Sequence, residues 1–415
     1  MVKHDHFLSF PFLPRSLLLL LGLAGVLAAL GCIGGDTSGG LYVFDGQSRS
    51  VLVWNDLDKL YQAAQAGQPA PDPDRVLRSG QLRGLDLAWG GMALDHNRHR
   101  LYLVSQKSGR VYVLNHVNTQ KDEWKQKTDI WSFDLGGDSS DRFGSDSVFG
   151  QAALDPVADI LYVQETTRDG KRSRVWHVGN VSRVRGGAKV GADAATEVDD
   201  DGRGAGLAAG PAHKVFALFG EGRDVETLGG DTHQGPRLRQ GEPRGRNLLF
   251  GDPHLATDRN LLAGAATGLK KPMRYGSLAY DQQHHELYVF AQPPEGDELA
   301  QILVFGGGQF FGEVNQAPRR TLKDVPRNLR IICHPFRADW LLGAGFKPGQ
   351  ETGKESDGTG RGQDLLYLWK SPSGGGEPRT LKGLQVKDAK GKDGKDKARD
   401  KQRAVEVRGL AWGGG

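Results

Sequence analysis

A short pattern occurs three times in this chain of 415 residues and restricts the folds open to it. Each copy is a small apolar segment that ends in Asp, and Leu-Tyr follows six residues after that Asp. The copies end at Asp95, Asp155 and Asp281. A recurring unit of two apolar segments and a tight turn is typical of repeat proteins, in which each unit buries its apolar faces against its neighbours. We therefore expect a repeat architecture.

Further strands complete each unit. Alternating apolar residues predict a third strand at 110–114, 173–178 and 301–305. A more polar fourth strand begins at Arg75, Arg320 and Arg379. Small residues in the first strand and charged residues in the fourth are typical of a β-propeller blade, because strands near the axis are crowded and the outermost strand faces water. The sequence thus predicts an all-β propeller.

The number of blades follows from the first strands, which lie near positions 88, 151, 206, 278, 331 and 410 and predict six blades. His334 stands in one degenerate copy where other copies have Asp. The stretch 229–271 is long enough to contain a seventh blade, which is the alternative. After its leader the chain opens on a second strand at Leu41 and ends on a first strand at 407–412. Pairing of these terminal strands would close the ring and leave no open sheet edge.

The repeats resemble bacterial propeller repeats of the YVTN and NHL kind over about residues 41–412. The resemblance rests on the Leu-Tyr-Val segments and on the Asp that precedes them. It implies a propeller domain at 41–415 and names no particular activity.

The first 31 residues resemble the signal peptide of a bacterial lipoprotein. Lys3 and Arg15 supply positive charge, and an apolar run at 16–30 leads to the segment Ala28-Ala-Leu-Gly-Cys32. Small residues before a Cys resemble the lipobox, in which that Cys is acylated before cleavage. An uncleaved membrane anchor is the alternative, although the run is shorter than the roughly 20 residues that a bilayer-spanning helix needs.

The lipoprotein resemblance implies that Cys32 is acylated and is the first residue of the mature protein. Residues 32–40 then form a flexible tether. Acyl chains would attach the domain to a membrane without spanning it. Ile33 follows the Cys where inner-membrane lipoproteins usually have Asp, so the resemblance implies the outer membrane in a cell with two membranes. The predicted location is the bacterial cell envelope.

Charge restricts the partners. The net charge of +4 is small for a nucleic-acid-binding protein, and basic and aromatic residues do not interleave. We therefore predict no nucleic-acid partner.

The segment 387–403 carries eight Lys or Arg and four Asp, which predicts a disordered, solvated loop. A tether to an anionic polymer of the envelope is the alternative for this segment.

Four acidic residues form a candidate metal site: Asp134, Asp138, Asp141 and Asp146. Loops that combine glycine with carboxylates can bind Ca²⁺, which takes about six to eight oxygen ligands. Their spacing does not match an EF-hand loop, so a plain hydrophilic loop is the favoured interpretation. No cofactor is predicted, and Ca²⁺ is the alternative.

The histidines give a second set of candidates. The equivalent turns of two blades contain His96, His99, His284 and His285. These blades are predicted to lie two units apart, which is too far for the four side chains to share one metal ion. Exposed turn residues are therefore the favoured interpretation.

Cys333 and His334 raise the question of a nucleophile. They are neighbours along a strand, so their side chains should point to opposite faces and not meet. A buried apolar role is favoured for Cys333. The repeated Asp residues are also expected to be structural, because an Asp side chain readily accepts hydrogen bonds from backbone N–H groups of its own turn.

The predicted function is a lipid-anchored platform in the cell envelope that binds an envelope protein or polymer, with a protein as the favoured partner. Loops on a rigid frame are where binding surfaces tend to form. The alternative is a metal-dependent or cofactor-dependent enzyme, similar to the lactonases and sugar dehydrogenases that use six-bladed propellers. The sequence contains no nucleophile elbow, Walker loop or HExxH motif, so no catalytic residue is predicted.

Overall fold

The structure is a computed structural model that describes residues 40–120, 124, 129–136, 143, 147–168, 172–198, 204–210, 215–219, 237–243, 253–256, 274–292, 300–306, 318–334, 339–347, 363–374, 378–381, 385–387 and 402–413. Cys32, the leader and the tether up to residue 39 lie outside these residues. Gly40, the last residue of the predicted tether, already belongs to the first strand. Within the described residues no helix combines the length and the apolar character needed to cross a membrane.

Within the described residues, six sheets of at least four strands form blades 1 to 6, and the strands of each blade are given below in order from the innermost to the outermost. Blade 1 contains β27 (Val407–Gly413), β1 (Gly40–Asp45), β2 (Ser50–Trp54) and β3 (Arg75–Leu77). Blade 2 contains β4 (Leu87–Asp95), β5 (Arg100–Ser105), β6 (Arg110–Leu114), β7 (Ile130–Leu135) and β11 (Lys189–Val190). Blade 3 contains β8 (Ser147–Asp155), β9 (Ile160–Thr167), β10 (Ser173–Gly179) and β12 (Ala195–Val198).

The remaining blades have four strands each. Blade 4 contains β13 (Gly204–Ala209), β14 (Val215–Phe219), β15 (Arg237–Pro243) and β16 (Pro253–Ala256). Blade 5 contains β17 (Arg274–Asp281), β18 (Glu286–Gln292), β19 (Ala300–Gly306) and β20 (Arg320–Val325). Blade 6 contains β21 (Leu329–Cys333), β22 (Trp340–Lys347), β23 (Gln363–Lys370) and β24 (Pro378–Leu381). Short 3₁₀ helices lie at Gly80–Gly84, Val181–Arg183, Ala192–Ala194 and Pro372–Gly374.

The six blades form a closed ring, which confirms the predicted propeller and the favoured blade count. Neighbouring innermost strands contact one another in the order β27, β4, β8, β13, β17 and β21, and β21 contacts β27 again. The two strands described within 229–271, β15 and β16, complete blade 4. The described part of that stretch therefore adds no seventh blade.

Apolar contacts between blades explain the repeated Leu-Tyr. Successive residues of a strand point to opposite faces of the sheet. In β5, Leu101 packs into the cluster between blades 1 and 2, whereas Tyr102 packs into the cluster between blades 2 and 3. Leu161 and Tyr162 of β9 repeat this arrangement one blade further on. Each Leu-Tyr thus fills two neighbouring junctions of the ring.

The chain termini close blade 1, as the sequence predicts. Strand β27 pairs antiparallel with β1, from Gly40 opposite Gly413 to Asp45 opposite Val407. The innermost strands also pack closely at this junction: a Cβ on Gly409 would lie 2.8 Å from Leu87 Cδ2 and 2.9 Å from Met92 Cβ. Crowding near the axis is the reason for the small residues in first strands.

One helix accompanies blade 1. Helix α1 spans Leu57–Gln65 and begins at Asp56, whose side chain accepts a hydrogen bond from Lys59 N at 3.0 Å. Its buried face, which includes Leu60, packs in the cluster between blades 1 and 6. The helix therefore strengthens the junction that the terminal strands close.

The loop within the charged segment 387–403 is shorter than predicted, because both ends of the segment lie in strands. Lys387 lies in β25 (Gln385–Lys387), and Arg403 lies in β26 (Gln402–Ala404). These two strands pair antiparallel with each other. Residues 388–401 lie outside the described residues, so the predicted disorder of the central part stays a prediction.

Candidate functional site

Residues of all six innermost strands line a cavity of about 170 Å³ in the central channel. Its wall is mainly aliphatic, with Leu94 and Leu154 in equivalent positions of β4 and β8. Polar side chains come from Gln151 in β8 and from His96, Gln282 and His334, each of which directly follows an innermost strand. The residues that directly follow β4, β8, β17 and β21 all line this cavity, so these innermost strands run in the same direction. We call the end of the channel surrounded by their turns the turn mouth.

The repeated Asp residues bind the backbone of these turns, as predicted. Oδ1 of Asp95, Asp155 and Asp281 accepts hydrogen bonds from the backbone N–H groups two and three residues further on, at distances from 2.7 to 3.1 Å. All three Asp residues are buried. The Asp that marks the repeat therefore fixes the turn after each innermost strand.

Asp281 differs from the other two because two imidazoles approach its second oxygen. Oδ2 lies 2.6 Å from Nδ1 of His284, with which it forms a hydrogen bond, and 3.3 Å from Nε2 of His334, with which it forms a buried ion-pair contact. Burial alone would raise the pKa of Asp281, but the two imidazoles outweigh burial and hold that pKa below its usual range. The hydrogen bond with Asp281 raises the pKa of His284 above the ordinary histidine value.

His334 is held in one orientation across a blade junction. Its side chain is 2% exposed, and it joins blade 6 to Asp281 of blade 5. The imidazole stacks on Tyr288, with ring centroids 5.6 Å apart and 17° between the planes. Tyr288 donates a hydrogen bond to Glu286 Oε2 at 3.1 Å, and Glu286 forms an ion pair with Arg320. Burial is the main reason that the pKa of Tyr288 is raised, so this phenol stays neutral.

The opposite end of the channel, where the innermost strands begin, carries a different cluster, and we call this end the start mouth. The guanidinium carbons of Arg330 and Arg408 lie 4.8 and 4.7 Å from the ring centroid of Trp89. The three residues come from the consecutive blades 6, 1 and 2. Each lies at a register shift of its innermost strand. Such bulges turn side chains out of the regular alternation, which explains how three strands present one cluster.

The predicted Ca²⁺ ligands do not form a site within the described residues. Asp134 lies in β7, where its carboxylate accepts from Arg110 Nε at 2.7 Å. Asp138, Asp141 and Asp146 lie outside the described residues. In the part of the chain that the structure describes, no group of three or more His, Cys, Asp or Glu side chains could hold a metal ion.

The histidines of the two turns are farther apart than predicted. Blades 2 and 5 are three steps apart around the ring of six, not two, because blades 3 and 4 lie between them. His96 lines the cavity, whereas His284 binds Asp281 and His285 Nδ1 lies 3.0 Å from Tyr280 Oη. The structure therefore does not bring these residues together.

Cys333 lines the cavity but is a poor nucleophile. Burial raises the pKa of its thiol, so the reactive thiolate is scarce at neutral pH. The neighbouring His334 faces Asp281 instead. The separation of the two side chains predicted from strand alternation agrees with this arrangement.

Sequence reasoning missed the groups that the channel brings together. The repeat places His334 in the Asp position of its copy, but it does not predict the contact with Asp281, the equivalent residue of the neighbouring blade. The signal was present, because equivalent residues of adjacent blades lie side by side around the axis. Arg330 and Arg408 also occupy similar places in the last two first strands, although the bulges that aim them at Trp89 cannot be read from periodicity.

Comparison with known proteins assigns neither a family nor a role. No protein-family model matches the chain, and none of the curated proteins compared with it does. Among solved structures, luciferin-regenerating enzyme is 10% identical and matches 80% of this chain and 91% of its own, with a TM-score of 0.44. The Swd1 β-propeller domain of Myceliophteria thermophila is 10% identical and matches 79% of this chain and 96% of its own, with a TM-score of 0.42. A gluconolactonase from Xanthomonas campestris is 13% identical and matches 79% of this chain and 86% of its own, with a TM-score of 0.39.

Proposed function

We propose that this chain is a lipid-anchored protein of the bacterial cell envelope whose propeller is a binding platform for a protein partner. Acylation of Cys32 would hold the platform at a membrane, the outer one in a cell with two membranes. The observation that carries the platform role is the stack of Arg330, Trp89 and Arg408 at the start mouth.

The residue types and the rigidity of this stack suit protein recognition. Trp and Arg are enriched among the residues that contribute most of the binding energy at protein interfaces. Trp89 is only partly buried, and Arg330 is exposed. Because the three side chains are fixed against one another on a closed ring, little side-chain entropy remains to be lost on binding.

The charge of the stack supports an acidic partner. Arg408 Nε donates to Glu406 Oε1 at 2.6 Å, so part of its charge is already balanced. The planar guanidinium groups have donors along their edges, and these edges bind carboxylates in a bidentate manner. The start mouth therefore fits a protein segment that presents Asp or Glu side chains, with an apolar group over the indole edge.

Binding of a fluorescent ten-residue Glu-rich peptide, followed by anisotropy, tests the platform. We expect Arg330→Gln and Arg408→Gln each to weaken binding by roughly tenfold or more, because a charge-assisted hydrogen bond contributes about 1.5–3 kcal/mol. Arg379→Gln is the matched control, since Arg379 is an exposed strand residue of blade 6. Equal binding of a Gln-rich peptide, or equal loss in all three variants, would rule out the start mouth as the binding surface.

The lipid anchor is tested separately. We expect Cys32→Ser to move the full-length protein from washed membranes to the soluble fraction and to remove the acyl mass from its N-terminal peptide, because the serine hydroxyl does not replace the acceptor thiol. Cys333→Ser is the control and should stay at the membrane. Retention of the Cys32→Ser protein on membranes would contradict acylation and favour an uncleaved anchor.

A further inference from the structure

The first strand of the propeller begins at the turn mouth. Arg408, the second residue of β27, lies over Trp89, the third residue of β4, so these two innermost strands begin side by side and run in the same direction. Strand β27 therefore ends at the turn mouth. Its last residue, Gly413, pairs with Gly40 of β1. Gly40 thus lies at the turn mouth as well.

The length of chain before Gly40 limits where an anchor on Cys32 can lie. Eight residues, 32–39, precede Gly40, and they span at most roughly 29 Å when fully extended. The nine residues of β4 show that the channel itself is about 30 Å long. A tether of this length cannot pass around the outside of the ring and reach beyond the start mouth. An acylated Cys32 would therefore hold the turn mouth toward the membrane.

The exposed residues of the turn mouth suit such a neighbour, because none of them is acidic in the three turns that follow β4, β8 and β17. The Asp residues of these turns are buried: Asp95, Asp155, Asp159 and Asp281. The exposed residues are Asn97, Arg98, His99, Val157, Gln283, His284 and His285. A face without exposed carboxylates avoids repulsion from the phosphate groups and the anionic lipids of a membrane.

Several of these exposed groups can bind phosphate directly. Nη1 of Arg98 binds Asp95 at 3.0 Å, and the guanidinium has further N–H donors on Nη2 and Nε. The hydrogen bond with Asp281 raises the pKa of His284, so this imidazole keeps its positive charge to a higher pH than an ordinary histidine. Val157, whose exposed fraction is 75%, adds an apolar group to the same face.

We propose that the turn mouth rests on the phospholipid headgroups of the membrane, with guanidinium and imidazole groups of its turns bound to phosphates. This contact rests on the acylation of Cys32 proposed above. It directs the start mouth away from the membrane, where the stack of Arg330, Trp89 and Arg408 faces a partner from the opposite side.

Short-range quenching in vesicles tests this contact. Full-length acylated protein that carries Cys333→Ser is reconstituted into vesicles of phosphatidylethanolamine and phosphatidylglycerol that contain a lipid with a spin-labelled headgroup. A fluorophore is attached through His99→Cys at the turn mouth or through Arg49→Cys at the start mouth. We expect strong quenching at position 99 and little at position 49, because the spin label acts at contact range and the two mouths are about 30 Å apart.

The two labelled positions are matched. His99 and Arg49 are both exposed, and each is the fourth residue after the Asp of its turn. Their backbone φ angles are 53° and 54°, so cysteine meets the same strain at both positions. A difference in quenching therefore reports the side of the ring and not the type of turn.

A second pair of variants tests recognition of the headgroup charge, with the fluorophore at position 99. Val157→Asp adds a negative charge to the turn mouth, and Val157→Asn has nearly the same shape without the charge. We expect Val157→Asp to shift the equilibrium away from headgroup contact about fivefold relative to Val157→Asn, which corresponds to about 1 kcal/mol for one charge near an anionic surface. Equal quenching in these two variants would overturn the recognition of anionic headgroups.

Flotation of the same samples separates the contact from the anchor. Protein that floats with the vesicles and is quenched equally at both positions, or more strongly at position 49, would overturn the turn-mouth contact and leave the anchor in place. Protein that does not float would contradict the acylation and the contact together.

Discussion

A chain truncated after Glu406 is expected not to fold cooperatively, because it lacks the innermost strand of blade 1. Strand β27 pairs with β1 along its length and contributes to two blade junctions. Val407 and Leu410 belong to the cluster between blades 6 and 1, and Ala411 belongs to the one between blades 1 and 2. Burial of one Val or Leu side chain contributes about 1.5–3 kcal/mol. Loss of the whole strand thus approaches the roughly 5–15 kcal/mol that stabilises a typical domain.

Urea unfolding followed by circular dichroism measures this effect. The truncated chain should show no cooperative transition and should aggregate, because β1 becomes an open sheet edge. The single substitution Leu410→Ala should keep the transition and lose about 2–5 kcal/mol. A synthetic peptide of residues 405–415 should restore part of the transition in trans. A truncated chain with the midpoint of the full-length protein would contradict closure by the terminal strands.

Much of the fold could be predicted because its unit is short and its periodicity is simple. Leu101 packs at the junction of blades 1 and 2, and Tyr102 packs at the junction of blades 2 and 3. A pattern of two residues therefore predicts the packing on both faces of a blade. The closing strand was predictable for the same reason, since the chain ends on half of a repeated unit. Strand β11 could not be predicted, because its two residues pair in parallel with β7 outside the regular unit.

The candidate site was less accessible from the sequence than the fold. Side chains that meet at the turn mouth come from different copies, as Asp281 and His334 do, and their contact depends on the order of blades around the axis. The order of the blades can be predicted only when their number is known. At the start mouth, bulges place Trp89 between Arg330 and Arg408, and a bulge leaves no periodic trace in the sequence.

Gly345→Ala is expected to destabilise the protein by about 1–3 kcal/mol or more, the usual cost of overpacking. The added Cβ would lie 2.2 Å from Asn328 O, 2.7 Å from Asn328 C and 2.9 Å from Leu329 Cα. All three atoms belong to the backbone, so no side-chain rotation can relieve the clash. Strand β22 would have to move away from β21, which also carries one side of the turn mouth.

Gly150→Ala is the matched control, because Gly150 also lies in a strand of the ring. Its added Cβ would have its nearest contact at 3.7 Å, from Gln164 Cβ, which is an ordinary van der Waals distance. We expect this variant to keep the stability of the unaltered protein or to gain up to about 1 kcal/mol, since alanine restricts the unfolded chain. Urea midpoints of the two variants give the comparison. Equal midpoints would show that β21 and β22 do not approach each other closely at Gly345.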